Sequence, residues 1–174
     1  MRIASVCLVL SAISCVHAVA GAANSNTAQS QPVMALAISA AQDSVKIGAP
    51  VRIQVALTNK SDRDVTFSRD GAGYDCRLDV RDINGNLLAD SKFGYLRNGH
   101  VAHPDPTRFS PEDLKGRLVV VTVKAGQTLT WEEDAAKLYE IDPPGEYTIQ
   151  GQEPEPGNMS VSLKSNTITV TVTP

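Results

Sequence analysis

Hydrophobic and polar residues alternate along most of the chain from residue 33 onward. Successive side chains of a β-strand point to opposite faces of a sheet, so this alternation predicts strands with one buried and one solvated face. Val, Ile and Thr dominate these segments, and β-branched residues favour strands. The apolar positions of the three clearest segments are Leu36, Ile38 and Ala40, then Val51, Ile53, Val55 and Leu57, and finally Ile168, Val170 and Val172.

Turn sequences separate the alternating segments. Asn84-Gly85 lies between residues 76–81 and 87–88, and an Asn-Gly pair between two strand patterns predicts a hairpin. Gly126 and Gly145 mark two later turns. About eight strands result, with the close turn spacing of a sandwich. The predicted fold is all-β: an antiparallel immunoglobulin-like β-sandwich of about seven to nine strands, with one long irregular loop insertion.

Helical signals are short. Residues 110–115 begin with a capping serine and a proline, and residues 134–139 begin with an aspartate. Each segment supports about one turn of helix between strands. Neither supplies a helical layer, so parallel α/β architectures are not expected.

Two aromatic residues are predicted to be structural. Tyr147 lies near the start of a late strand, where a tyrosine corner places its hydroxyl on nearby backbone. Trp131 alternates with Leu129 and so shares one face of a strand with it. We interpret Trp131 as part of the core rather than as a ligand platform.

The segment from residue 92 to residue 117 shows no strand pattern. A loop of this length in a compact domain usually binds something, covers part of the fold or is disordered. Aromatic and arginine side chains are common anchors at interfaces. Two interpretations stay open: the rings pack back onto the sandwich, or the loop binds a partner. The candidate binding residues are Phe93, Tyr95, Arg97, Arg108 and Phe109.

The N-terminus has the features of a secretory signal. Arg2 is followed by a short apolar run over residues 3–16 and by an A-x-A pattern at residues 18–20. We therefore predict a signal peptide over residues 1–22, a flexible leader over 23–32 and a single domain over 33–174. This organisation predicts a secreted or periplasmic protein without a transmembrane segment after signal removal. A lipid anchor at Cys15 is an alternative.

Composition narrows the class of protein. The chain has 174 residues, a formal net charge of −3, 42% hydrophobic and 20% charged residues. These values are ordinary for a soluble globular protein and exclude a strongly basic nucleic-acid binder. Cleavage of the signal leaves Cys76 as the single cysteine, so no internal disulfide is expected.

Catalytic and metal-binding motifs are weak. Cys76 lies on the face that is predicted to be buried, where an unpaired cysteine usually acts as a small hydrophobic residue. His100, His103 and Asp105 are weak metal candidates in an irregular loop, and we expect no metal and no cofactor. The acidic runs at residues 132–134 and 153–155 are interpreted as solvated turns and strand ends. The protein is therefore not expected to be an enzyme.

Four stretches together carry a resemblance: residues 57–62 (Leu-Thr-Asn-Lys-Ser-Asp), 82–85 (Asp-Ile-Asn-Gly), 125–127 (Ala-Gly-Gln) and 144–149 (Pro-Gly-Glu-Tyr-Thr-Ile). In this order and spacing they resemble the BsuPI-type proteinase-inhibitor domain and related secreted bacterial immunoglobulin-like modules. The resemblance implies a β-sandwich and leaves proteinase inhibition open. It assigns no inhibitory residue.

These features together favour a secreted or periplasmic, non-enzymatic binding module of unknown ligand, with the 93–109 loop as its candidate surface. Its partner would be a protein, with a protease as one option, and not a nucleic acid. A proteinase inhibitor is the first alternative. A lipid-anchored structural protein of the envelope is the second.

Overall fold

A computed structural model describes residues 32–70, 76–97 and 118–174. The predicted signal peptide and most of the leader lie outside these ranges. Within them the chain forms nine strands and two short helices. The elements are β1 (Met34–Ala40), β2 (Ser44–Lys46), β3 (Arg52–Asn59), β4 (Val65–Asp70), β5 (Arg77–Arg81), α1 (Lys92–Arg97), β6 (Leu118–Val123), β7 (Thr128–Asp134), α2 (Ala135–Leu138), β8 (Gly145–Glu155) and β9 (Asn158–Thr173).

The strands form two main sheets, of order β1-β3-β7 and β2-β9-β8-β5. All pairs within them are antiparallel except β2 and β9, which run parallel. The first two strands therefore lie in different sheets, β1 in the three-stranded sheet and β2 in the four-stranded sheet. The predicted class, an immunoglobulin-like β-sandwich, is confirmed, with this one parallel pair as a departure from the expected antiparallel order.

The core consists of the apolar members of the alternating segments. Ile53, Val55 and Leu57 are fully buried on β3, as is Ile149 on β8 in the second sheet, and all four belong to one apolar cluster. The predicted alternation is therefore confirmed in the burial of the side chains. Aliphatic residues supply most of this interior, and the hydrophobic effect of burying them is the main stabilising term.

A third pair of strands, β4 and β6, continues the ladder of β3 and β7 beyond a corner. Thr58 pairs with Thr128 on one side of the corner, and Val65 pairs with Val123 on the other. Between these two pairs, residues 59–64 and residues 124–127 leave the ladder. The turn that contains Gly126, which has a φ of 71°, forms half of the corner, so this glycine lies where the sequence predicts a turn.

Asn59 holds this corner together and is completely buried. Its side-chain nitrogen donates to the carbonyl oxygens of Arg63 (2.7 Å) and Val123 (2.9 Å). Its side-chain oxygen accepts from the backbone nitrogen and the hydroxyl of Ser61. One amide thereby bonds polar groups from both halves of the corner.

Side chains from the second sheet cover the outer edge of β1. Asn166 lies at a bulge in β9 and bonds both backbone groups of Ile38, at 2.9 and 3.0 Å. Glu155 on β8 accepts from the backbone nitrogen of Met34 at 3.0 Å. An open edge strand is a template for unwanted pairing, and these contacts occupy that edge.

The turn at Asn84-Gly85 differs from the predicted hairpin. Gly85 has the left-handed φ of 81°, as an Asn-Gly turn requires. The following residues do not form a second strand: Leu87 makes an isolated bridge with Arg81, and the Leu88 nitrogen donates to the Val80 carbonyl oxygen at 2.9 Å. The reason is that the chain leaves β5 and turns toward the end of α2. There the backbone nitrogen of Glu140 donates to the carbonyl oxygen of Ala89.

The helices confirm one prediction and correct another. The turn of helix predicted at residues 134–139 is α2, and Asp134 caps it by accepting from the backbone nitrogen of Ala136. The prediction of an irregular loop from residue 92 was wrong over Lys92–Arg97, which form α1. The hydroxyl of Ser91 accepts from the Gly94 nitrogen at 3.0 Å and so caps this helix. The turn predicted at residues 110–115 lies outside the described residues.

Tyr147 has the geometry of a tyrosine corner. Its hydroxyl donates to the carbonyl oxygen of Pro143 at 2.6 Å, at the start of β8, which begins at Gly145. Burial raises the pKa of the phenol above 10.0, and the carboxylates of Asp142 and Asp82 add to this shift. The protonated form that donates the bond is therefore favoured.

We expect Tyr147→Phe to lower the free energy of unfolding by about 1 kcal/mol, since it removes one hydrogen bond and leaves the ring in place. Urea unfolding of the wild type and the variant measures the difference. Thr148→Ser, at an exposed position of the same strand, serves as the control. An unchanged midpoint for Tyr147→Phe would show that the bond makes no net contribution.

Candidate functional site

A cleft of about 480 Å³ opens beside β5, the edge strand of the second sheet. We call it the Tyr139 cleft. It lies where β5, the turn after it and the end of α2 meet. Its lining residues are Arg77, Leu78, Asp79, Leu87, Leu88, Asp90, Tyr139 and Gln152.

Backbone pairing fixes the positions of these side chains. Arg77 lies opposite Gln152 in the ladder of β5 and β8. Asp90 forms an isolated bridge with Tyr139, and the Tyr139 hydroxyl accepts from the backbone nitrogen of Leu78 at 3.2 Å. Segments that are distant in the sequence therefore meet at one place with defined geometry.

The cleft combines apolar walls with charged groups. Leu87 is 53% exposed and Leu88 is half-buried, so apolar surface is accessible from solvent. The Asp79 carboxylate contacts Arg81, with 2.9 Å between Nε and Oδ1. A concave site with apolar walls and a few fixed polar groups is typical of ligand binding. The polar groups of the lining are the carboxylates of Asp79 and Asp90, the guanidinium of Arg77, the amide of Gln152 and the phenol of Tyr139.

Helix α1 begins next to this cleft and is fixed to α2. Gly94 packs so closely against Leu138 that a Cβ built on it would lie 1.8 Å from the Leu138 carbonyl oxygen. Ser91 donates from its hydroxyl to the carbonyl oxygen of Lys137, and Lys137 Nζ lies 4.2 Å from the centre of the Phe93 ring. The start of the predicted insertion is therefore a fixed stem on the sandwich.

The structure places three of the five predicted binding residues on this stem. Phe93 is half-buried and packs against the core, as the interpretation of rings packed onto the sandwich expects. Tyr95 is also half-buried, and Arg97 is the last residue of the helix. The other two binding residues, Arg108 and Phe109, lie outside the described residues, as do the metal candidates His100, His103 and Asp105.

The interpretation of the acidic runs as solvated was wrong for three of their glutamates, whereas Glu132 is exposed. Glu133, Glu153 and Glu155 are only 1%, 8% and 3% exposed. They continue the inward faces of β7 and β8, because Glu133 lies two residues after the half-buried Trp131 on β7, and Glu153 and Glu155 lie four and six residues after the buried Ile149 on β8. The alternation of buried and exposed positions along each strand already indicated that these glutamates lie inside. Among the described residues, no group of three or more His, Cys, Asp or Glu side chains is arranged to hold a metal ion.

Glu133 belongs to a polar contact inside the sandwich. Its Oε1 accepts from Trp131 Nε1 at 2.9 Å and from the backbone nitrogen of Cys76 at 3.3 Å. Cys76 is 3% exposed, so its predicted inward position is confirmed. The Trp131 ring packs on the core from one side. On the other, Arg69 lies 4.0 Å from the ring centre, in a cation–π contact.

A second concave region, which we call the hairpin groove, lies between β4 and the tip of the β8–β9 hairpin. Its volume is about 420 Å³. Sequence reasoning missed it because it forms between strands that are far apart in the chain. It is lined by Phe67, Ser68, Arg69, Glu153, Pro154, Glu155, Pro156, Gly157 and Met159.

Comparison with known proteins gives only weak structural similarities. No family model matches the chain, and no curated protein matches it either. Solved structures that resemble it include the CARDB domain of the PF1109 protein from Pyrococcus furiosus, solved with di-metal ions, at 14% identity and a TM-score of 0.38. That match covers 82% of this chain and 89% of the other.

Two β-glucosidases give similar values. The enzyme EmGH1 from Erythrobacter marinus matches at 14% identity and a TM-score of 0.39, over 82% of this chain. The enzyme from Listeria innocua matches at 14% identity and a TM-score of 0.39, over 80% of this chain. The chain spans only 16% of the length of each glucosidase. These similarities are too low to assign a family, an activity or a ligand.

Both helices in the described part of the chain are short. Across residues 32–70, 76–97 and 118–174, no helix is long and apolar enough to cross a bilayer.

Proposed function

We propose that this protein is a non-enzymatic binding module, secreted or periplasmic, that holds its partner at the Tyr139 cleft and the adjoining α1. The single observation that carries this proposal is the cleft itself, in which accessible leucine side chains adjoin fixed polar groups. Such a combination gives both affinity and orientation to a bound group. A signal peptide at the N-terminus would place the module outside the cytoplasm.

The attachment of α1 to α2 supports the same proposal. A binding segment that starts from a fixed helix loses less conformational entropy on binding than a segment that starts from a flexible one. Gly94 and Ser91 hold α1 at the rim of the cleft through contacts with α2. The partner would therefore meet a surface that is already formed.

A leucine-to-aspartate change tests this site. Leu87→Asp places a charge on an accessible apolar wall, and we expect it to weaken partner binding at least about tenfold because the carboxylate must be desolvated. Residues 23–174 serve as bait for proteins of the native envelope and medium, and the purified partner is then titrated by calorimetry. Ile83→Asp, at a position that is 73% exposed and outside the cleft, is the matched control. Equal binding by both variants would exclude the cleft.

Proteinase inhibition is the second candidate, and the tip of the β8–β9 hairpin favours it. Met159 is 81% exposed on a long two-stranded hairpin, and Pro156-Gly157 forms the adjacent turn. An exposed side chain on a rigid extended segment has the shape that a protease cleft accepts, and rigidity lowers the entropic cost of binding.

We expect inhibition, if it is the function, to be stoichiometric and to depend on Met159. Residues 23–174 would be titrated against a panel of serine, cysteine and metalloproteases with peptide substrates. Met159→Asp should abolish inhibition of a protease with an apolar pocket, whereas Leu118→Asp, equally exposed but on β6, should not. No inhibition across the panel would remove this candidate.

A further inference from the structure

Arg77 is an exposed arginine of the Tyr139 cleft, and it is the one cation among the described residues that line it. In the described part of the chain, no hydrogen bond, ion pair or ring contact engages its guanidinium group. Two other arginines differ, because Arg52 binds Glu132 at 2.7 Å and Arg69 lies over the Trp131 ring. A guanidinium presents its donors in a planar fork that matches the two oxygens of a carboxylate.

The acidic residue nearest to Arg77 on β5 is already bound by another arginine. Arg77, Asp79 and Arg81 alternate with two buried residues, so all three lie on the outer face of the sheet. Arg81 contacts both oxygens of Asp79, with 2.9 Å between Nε and Oδ1 and 3.1 Å between Nη2 and Oδ2. Its Nη1 also donates to the carbonyl oxygen of Gly85 at 2.9 Å. The turn after β5 therefore fixes Arg81 on Asp79, and the Arg77 guanidinium stays available to a ligand.

The groups around Arg77 determine what else the ligand must carry. Gln152 lies opposite Arg77 in the ladder of β5 and β8, and its amide offers both a donor and an acceptor, as a peptide group requires. Leu87 and Leu88 supply the accessible apolar wall, which is two adjacent residues long and so covers one side chain rather than a long acyl chain. Asp90, the second carboxylate of the lining, has an interaction of its own. The site therefore combines a cation, an amide and a short apolar surface.

We propose that the Tyr139 cleft binds the C-terminal residue of a partner polypeptide. The terminal carboxylate pairs with Arg77, the last peptide group bonds Gln152, and an apolar side chain packs on Leu87 and Leu88. A C-terminal residue presents these three groups together, and a charge-assisted pair of this kind is roughly twice as strong as a neutral hydrogen bond. This inference rests on the proposed function, because it names the group that the same cleft receives.

A peptide titration tests the proposal. Isotope-labelled residues 23–174 are titrated with acetyl-Ser-Gly-Gly-Leu as the free acid, with the same peptide as its C-terminal amide, and with octanoate. We expect the acid to shift the backbone signals of residues 77–79, 87–90 and 152 and the side-chain Nε signal of Arg77 in NMR spectra. The amide should bind at least about tenfold more weakly, because it cannot form the charge-assisted pair. Octanoate should bind more weakly than the acid, because it has no peptide group for Gln152.

Exposed-site variants identify the group that binds the carboxylate. Arg77→Gln should weaken binding of the acid at least about tenfold and leave the amide unaffected, whereas Arg77→Lys, which keeps the charge and loses the fork, should weaken the acid less. Arg63→Gln is the matched control, since Arg63 is also exposed and lies outside the cleft, and it should leave the affinity unchanged. Equal urea midpoints of the three variants and the wild type establish that the fold is kept.

Four results would overturn the inference: no shifts with the acid, shifts that map outside the cleft, equal affinity of acid and amide, or no effect of Arg77→Gln. Octanoate binding more tightly than the acid would also overturn it, in favour of a fatty acid. The proposed function fails separately, when Leu87→Asp leaves binding of the native partner unchanged. Loss of partner binding in Leu87→Asp together with equal binding of acid and amide would keep the Tyr139 cleft as the site and remove the C-terminal carboxylate as its ligand.

Discussion

Replacing Asn59 by alanine should lower the free energy of unfolding by about 3 kcal/mol. The variant removes four hydrogen bonds from a completely buried amide. An intramolecular hydrogen bond contributes only about 1 kcal/mol net, but a buried group left without a partner costs about 1–3 kcal/mol. The carbonyl oxygen of Val123 would lose its 2.9 Å bond from Asn59 in a buried part of the corner.

Asn158→Ala is the matched control for this variant. Asn59 and Asn158 each begin an Asn-x-Ser sequence, and each side chain bonds the serine two residues on. Asn158, however, is the half-buried first residue of β9, and its bond to Ser160 is exposed to water that can replace it, so we expect a change below about 0.5 kcal/mol. Urea unfolding of the three proteins gives the comparison, with m-values checked for equality. Equal losses for both variants would mean that the corner does not depend on Asn59.

Asn59→Asp refines the same test. The aspartate keeps the oxygen that accepts from Ser61, but it loses the donor to Arg63 and Val123. It also places a carboxylate oxygen against two carbonyl oxygens, which repel it. We therefore expect Asn59→Asp to be at least as destabilising as Asn59→Ala at neutral pH, and to recover part of the loss when acid protonates the carboxyl group.

The buried face of each strand could be predicted because alternation is a local property. Ile53, Val55 and Leu57 are inside for the same reason that Arg52 and Gln54 are outside, and no knowledge of the partner strands is needed. The same rule applied to β8 places Glu153 and Glu155 inside. The sequence interpretation instead followed the general preference of glutamate for the surface, and it was wrong for these two residues.

The sites could not be predicted because they depend on which strands become neighbours. The Tyr139 cleft needs residue 90 beside residue 139, and the hairpin groove needs residue 69 beside residue 153. Neither contact leaves a periodic signal in the chain. Helix α1 was missed for a related reason: its six residues have weak intrinsic preference for helix, and packing against α2 stabilises them.

Gly94→Ala should detach α1 and lower the free energy of unfolding by about 2 kcal/mol. A Cβ at this position would lie 1.8 Å from the carbonyl oxygen of Leu138 and 2.8 Å from its carbonyl carbon. The obstacle is backbone, which cannot rotate aside as a side chain can. Overpacking of this kind costs about 1–3 kcal/mol, and the cost is bounded because α1 can separate while the sandwich stays folded.

Hydrogen exchange measures this separation directly. In the wild type the backbone nitrogens of Ser91 and Tyr95 donate to Leu138 and Ser91. In Gly94→Ala these two amides should lose protection, while amides of β3 and β8 keep theirs. Gly85→Ala is the control: its added Cβ meets no atom within 4 Å, although its φ of 81° makes it a strained site for alanine. That variant should destabilise the 82–86 turn and leave the protection of Tyr95 unchanged.

Gly94→Ala also tests whether the attachment of α1 contributes to the proposed partner binding. If the partner contacts both the Tyr139 cleft and α1, Gly94→Ala should weaken partner binding even though no cleft residue changes. The affinity should fall by the fraction of molecules in which α1 is detached, because only the attached form presents the complete surface. If Gly94→Ala loses protection at Tyr95 and still binds its partner with wild-type affinity, the interface is confined to the Tyr139 cleft.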